Sequence, residues 1–145
     1  MWKIRGFEVI DGWDVKEPQR ETDGSAGYDL CAAQDVVIAP KKWTIIPTGV
    51  RAHMQPNEWL AIIQRSSIVK KGLVLANCVG VIDSDYYANA DNQGHILVML
   101  YNRGSKDVFV LKGERVAQAV FNTYLTTDND CPVSKIRMGG VGSTG

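Results

Sequence analysis

Two stretches of this 145-residue chain carry residue types that grip phosphate. Arg65-Ser66-Ser67 offers a planar guanidinium, two hydroxyls and the first amides of a short helix, all donors to an anion. The carboxyl-terminal run Arg137-Met138-Gly139-Gly140-Val141-Gly142-Ser143-Thr144-Gly145 adds a second guanidinium, two more hydroxyls, and glycines whose backbone amides can approach an anion closely. Taken singly, each is as well explained by a capped helix or a flexible chain end. Acids supply the complementary half, because a triphosphate brings a divalent cation that prefers oxygen ligands and keeps several waters. Asp29, Asp83 and Asp85 are the candidates. Asp83 follows the nearly apolar run Val79-Gly80-Val81-Ile82, which is expected to hold its carboxylate against a poorly solvated wall and to favour a role as base. A turn residue in a hairpin through Asp83-Ser84-Asp85 is the plainer alternative.

Composition narrows what such residues can serve. Sixteen basic residues balance sixteen acidic ones, so no excess of cationic charge is available for bulk binding to nucleic acid or an anionic membrane. Three cysteines, Cys31, Cys78 and Cys131, stand far apart with only His53 and His95 to join them, which supports neither a disulfide framework nor a zinc site. The amino terminus has charges where a signal peptide needs an apolar core, and a reducing, cytoplasmic protein is expected.

The elements that must position these residues read as strands. Apolar segments are short, rich in β-branched and aromatic residues, and closed by turn chemistry: 36–38, 43–46, 50–54, 59–64, 96–101, 108–111 and 115–125. One helix is expected at 66–71, too short to stand except by packing. Trp43 and Trp59 are expected in the core, and His95 is expected exposed. Five segments read as neither strand nor ordinary turn: 25–30, 65–67, 77–86, 113–118 and the glycine-rich tail.

In order and type these five segments resemble the five motifs of the homotrimeric deoxyuridine triphosphatases (dUTPases), from about Thr22 to Gly145. The resemblance implies an all-β, jelly-roll-like distorted β-barrel over residues 1–136, with one short helix. It also implies a homotrimer with three sites between subunits, each closed by a mobile C-terminal arm, residues 137–145. The implied reaction is Mg²⁺-dependent hydrolysis of dUTP to dUMP and pyrophosphate, which keeps uracil out of DNA and supplies dUMP for thymidylate. By resemblance Asp29 touches the metal's water shell, Ser66 and Ser67 lie on the phosphates, Arg65 orders the acid network, and Gln118 contacts phosphate. Asn77 and the backbone of Gly80, Val81 and Ile82 recognise uracil. Asp83 is the base and Tyr86 sits under the deoxyribose. Arg137, Val141, Gly142, Ser143 and Thr144 form the closing grip.

The sequence departs from the family pattern in places. Gln64 stands where the family usually has proline, Ser67 where it usually has glycine, and Val141 where many members stack a phenylalanine on uracil; Trp13, Tyr87 and Tyr124 are candidates to replace that ring. Residues 87–93 lengthen the connection after Tyr86, and a surface loop with no packing reason suits a protein partner. Two rival readings follow: a related deoxycytidine triphosphate deaminase, disfavoured because residues 94–101 hold no carboxylate, and a regulatory protein that uses nucleotide as a switch.

Overall fold

The computed structural model describes residues 3–134, 136–137 and 139–140. Eleven strands run in chain order: β1 (Gly6–Val9), β2 (Tyr28–Cys31), β3 (Val36–Ile38), β4 (Trp43–Pro47), β5 (Val50–His53), β6 (Glu58–Ile63), β7 (Leu73–Leu75), β8 (Gly80–Asp83), β9 (Leu97–Asn102), β10 (Val108–Val110) and β11 (Arg115–Thr123). The helix α1 (Ser66–Val69) and a 3-10 turn (Ser84–Tyr86) interrupt them. Among the described residues the strand pairings are antiparallel and fall in four sheets, ordered β1-β5, β10-β3, β2-β11-β6-β8 and β4-β9-β7. Among the described residues these sheets do not close into one hydrogen-bonded barrel, which makes the fold a jelly-roll-like wrap of small sheets around a shared core.

Strand alternation builds that core. Leu30, Ile38, Ile46, Leu60, Leu73, Ile96, Leu100 and Val110 are buried from strands of different sheets, so each sheet contributes one apolar face. At about 25 cal/mol per Å² of apolar surface, side chains of this size each contribute roughly 1.5–3 kcal/mol by burial. Asn102 is buried without penalty because its Nδ2 donates to the carbonyls of Ile38 and Lys106, at 2.9 and 2.7 Å, and its Oδ1 accepts from Gly104 N at 2.9 Å. Gly49, at φ 74°, turns β4 into β5 beneath Trp13, where a Cβ would lie 3.0 Å from the Trp13 Cβ.

The expected strands appear with ends shifted by a residue or two. Three of the segments read as non-strand instead contain β2, β8 and the start of β11. Their polar residues sit where neighbouring strands supply the apolar partners, which no local pattern can report. The helix is four residues rather than six. Trp43 is 56% exposed, because β4 turns that face away from the core, and β1 and β7 form by pairing with β5 and β9.

His95 is half-buried rather than exposed: its Nε2 accepts the Gly49 N–H at 2.8 Å, and its ring meets the Trp13 edge at 5.2 Å. Burial holds the His95 pKa below its ordinary value. The unfolded chain therefore takes up the proton first as pH falls. The contribution to stability is complete above about pH 6.5 and is lost as pH drops through the lower folded value. The thermal midpoint should fall more steeply from pH 7 to 5 in the wild type than in His95→Gln, whose carbonyl can accept the same N–H; parallel curves would show that His95 is not the titrating group.

Candidate active site

One cross-strand row assembles the phosphate-gripping residues. Asp29 on β2 pairs with Gln118 on β11, which pairs with Ile63 on β6, so the three lie side by side on one face. Two residues beyond Ile63, Arg65 turns out of the strand, and its Nε donates to Asp29 Oδ1 at 3.0 Å. Its Nη1 donates to Ser67 Oγ at 3.2 Å. A β-bulge between Arg115 and Ala117 aims Arg115 at the other Asp29 oxygen, Nη1 to Oδ2 at 3.5 Å. Asp29 is thus held between two guanidiniums with its carboxylate 15% exposed. Gln118 Nε2 donates to the Gln64 carbonyl at 3.2 Å, and Gly27 leaves room for that side chain, since a Cβ there would meet Gln118 Oε1 at 2.4 Å. Ser66 and Ser67 stand exposed at the start of α1.

A second cluster lies around β8. This strand pairs with β6 and has no partner on its outer side among the described residues. The next strand, β9, belongs to another sheet. The two diverge around a cavity of 250 Å³ lined by Asn77, Gly80, Val81, Ile82, Asp83, Tyr86 and Arg137, with Leu97, Val98 and Met99 opposite. An edge strand presents backbone donors and acceptors in fixed alternation, so the wall can read a planar hydrogen-bonding edge. Gly80 makes the wall possible, because a Cβ there would come within 2.8 Å of the Ile62 Cβ and push β8 off β6. The alternative of a hairpin through Asp83-Ser84-Asp85 is not what forms: β8 runs into the 3-10 turn, and Tyr86 at its end is buried, its hydroxyl donating to the His95 carbonyl at 2.6 Å.

One expectation needs correction here. The carboxylate of Asp83 is 49% exposed rather than set against a poorly solvated wall, because the apolar residues before it face the cavity and solvent alternately. Without nucleotide, Arg137 lies on acids of its own chain, with Nη2 on Asp83 Oδ2 at 2.5 Å and Nε on Asp85 Oδ1 at 2.7 Å. The Asp85 hydrogen bond leads the causes that raise the Arg137 pKa, so this is a firmly charged clasp. Val141, Gly142, Ser143 and Thr144 lie outside the described residues.

The two clusters are far apart in one chain. Asp83 pairs with Trp59, four positions from Ile63, at the other end of β6 and three strands from Asp29. That is roughly 14 Å along the strands and about as far across them. No single bound phosphate chain reaches both.

Sequence reasoning missed Gln64 and Arg115. Gln64 Oε1 accepts Leu75 N at 3.0 Å while its carbonyl holds Gln118, and only the pairing of β6 with β11 and the path to β7 reveal this double task. Arg115 stood in a recognised segment without a role; it also meets Glu21 at 3.1 Å. None of Trp13, Tyr87 and Tyr124 lines the cavity: Trp13 covers Gly49 and His95, Tyr87 bonds Glu8, and Tyr124 donates to the Pro56 carbonyl at 2.6 Å. Cys31 is a half-buried thiol whose pKa is pushed up by burial and then by Asp29. Among the described residues no cluster of three His, Cys, Asp or Glu forms a ready cation site, and no helix is long and apolar enough to cross a membrane. With both oxygens of Asp29 facing guanidiniums, a divalent ion beside it would have to bring most of its own oxygen ligands.

Comparison with known proteins agrees with this geometry. The dUTPase family model matches residues 14–145. The chain is 49% identical to the deoxyuridine 5'-triphosphate nucleotidohydrolase of Lactococcus lactis subsp. lactis over 99% of both chains, and 40% identical to that of Tolumonas auensis over 96% of this chain and 95% of the relative. Among solved structures, dUTPase from Streptococcus mutans superposes with a TM-score of 0.83 at 46% identity, over 86% of this chain and 99% of the other. A dUTPase from phage phi11 of S. aureus, described with a structural Mg(II) ion, shares the fold at a TM-score of 0.76 and 18% identity, over 91% and 98%.

The row around Asp29 generates a stability prediction. Asp29→Asn leaves Arg65 and Arg115 facing each other without the charge between them, and partial exposure limits the cost to about 1 kcal/mol. A fall of about 2–4 °C in thermal midpoint should follow; an unchanged or raised midpoint would mean the row is not held by this carboxylate.

Proposed function

The chain belongs to the dUTPase family, and from that premise we propose that its two clusters, joined across subunits of a homotrimer, hydrolyse dUTP to dUMP and pyrophosphate with Mg²⁺. The enzyme is a dUTP diphosphatase. The observation that carries the assembled reading is the separation of Asp83 from the Asp29 row: a second copy can bring its row to the first copy's cavity, and one chain cannot.

In this reading uracil enters the cavity beside β8, and the free edge of Gly80–Asp83 with Asn77 imitates a pairing partner. A wall set for uracil leaves buried groups unpaired against cytosine, and its close backbone leaves no room for the thymine methyl. Tyr86 stands under the sugar and collides with a 2′-hydroxyl. The phosphates lie on Ser66, Ser67 and Gln118 of the neighbouring row, while Arg65 keeps Asp29 oriented. Asp29 would hold a magnesium ion brought by the nucleotide, and that ion would supply charge neutralisation.

Asp83 orients a water and accepts its proton as the water oxygen bonds to the α-phosphorus. The bond from that phosphorus to the bridging oxygen breaks, and pyrophosphate leaves with the electron pair. Positioning and charge neutralisation supply most of the acceleration. In the free chain Arg137 occupies the Asp83 oxygen, so phosphate arrival has a direct consequence: it draws the guanidinium off the base and onto the substrate. Residues 137–145 then act as the arm that closes over the phosphates, distinct from the barrel of residues 1–136. Such an activity in the cytoplasm lowers dUTP available for incorporation into DNA and supplies dUMP for thymidylate synthesis.

Two experiments test the reading. Asp83→Asn keeps size and hydrogen bonding but removes the proton acceptor, so pyrophosphate release from dUTP should fall by about 10²–10⁴ with nucleotide binding largely kept; near-normal release would remove Asp83 from the mechanism. Arg65→Ala should also be inactive. If sites are shared between subunits, unfolding and refolding the two inactive variants together should restore part of the activity, because some interfaces then pair an intact Asp83 with an intact Arg65. No recovery in trimers shown to be mixed would place each site within one chain.

A further inference from the structure

We propose that Asn92, in the segment between Tyr86 and β9, is a positioning residue for sugar discrimination, which locks the Tyr86 ring through its hydroxyl and seats Gly140 against it. The inference rests on the reading of Tyr86 as the sugar wall. The Tyr86 ring is buried, and its hydroxyl is held twice: it donates to the His95 carbonyl at 2.6 Å and accepts from Asn92 Nδ2 at 2.8 Å. The Asn92 amide cannot turn over, because its Oδ1 accepts from Asn89 Nδ2 at 2.8 Å and from Gly94 N at 3.2 Å. Asn89, itself buried, donates to the Tyr86 carbonyl at 2.7 Å and accepts the Asp91 and Asn92 amides at 3.0 and 3.1 Å.

The other end of the segment is pinned to the barrel. The Tyr87 hydroxyl donates to the Glu8 carboxylate at 2.9 Å, Arg51 lies over the Tyr87 ring at 4.7 Å, and the same Arg51 pairs with Glu8 at 3.0 Å. Residues 87–93 therefore have the packing reason that an exposed recognition loop lacks. The arm uses the same surface: a Cβ on Gly140 would lie 2.6 Å from Asn92 Nδ2 and 3.3 Å from the Tyr86 ring. A ring excludes a 2′-hydroxyl only if it cannot step back. With His95 alone the ring could pivot about one hydrogen bond; the Asn92 donor removes that freedom.

The test is a double-mutant cycle read as kcat/KM for dUTP and UTP. Asn92→Ala removes the donor to Tyr86 together with the acceptor for Asn89 and Gly94, and Tyr86→Phe removes the hydroxyl that receives that donor. Asn92→Ala should improve UTP relative to dUTP by about tenfold, the change worth one neutral hydrogen bond, and Tyr86→Phe, which also loses the bond to the His95 carbonyl, by at least as much. The double variant should be close to Tyr86→Phe alone, because Asn92 acts on the ring through that hydroxyl. Thermal midpoints, measured alongside, should stay within a few degrees of each other. Additive effects in the double variant, or an unchanged ratio in Asn92→Ala while Tyr86→Ala shifts it, would overturn the role of Asn92. An unchanged ratio in Tyr86→Ala would overturn the sugar-wall reading, and this proposal with it.

Discussion

The pairing of β6 with β11 is the constraint on which the site depends. It is the longest continuous ladder in the fold, running from Gln118 opposite Ile63 to Thr123 opposite Glu58. Because antiparallel neighbours share a face, that ladder decides which polar residues of distant sequence stand together. On one side β11 takes β2 and brings Asp29 beside Gln118; on the other β6 takes β8 and leaves the outer edge of β8 unpaired. A slip of one residue would turn the row to the opposite face and bury its polar groups. On the opposite face Leu60, Ile62 and Ala119 are buried, and a slip would expose them.

The same sheet separates as well as assembles. Its two functional ends hold opposite balances of charge and hydrogen bonding: guanidiniums around one carboxylate at the row, and two carboxylates clasped by one guanidinium at the cavity. Each arrangement compensates its own charge within the chain, so neither end carries a large uncompensated cost before substrate arrives.

Segment 87–93 shows how an extended connection becomes part of such a site. Glycine at position 94, with φ 80°, lets the chain fold back so tightly that a Cβ there would lie 2.9 Å from Ala88 N. Two asparagines then satisfy the backbone of the returning loop and still leave one donor for Tyr86. The loop's polar groups are spent inside the fold, as buried or half-buried amides require.

Strand class and family were legible in local residue patterns. Alternating short apolar runs closed by Gly, Pro and Asn gave the strand class, and the ordered segments around Asp29, Arg65, Asp83, Gln118 and Arg137 carried the family, because residue type and spacing are local properties. Single segments were less legible: β2 and β8 were hidden because their polar residues are tolerated only by the partners that pair with them, and Trp43 looked like core because local composition does not say which face is covered. The tertiary structure alone decided the rest. It set the exposure of Asp83, the clasp of Arg137 on acids of its own chain, the second task of Gln64 and the lock of Asn92 on Tyr86. Each depends on which strand edges meet and in what register, a property of chain segments far apart in sequence that no single stretch of residues contains.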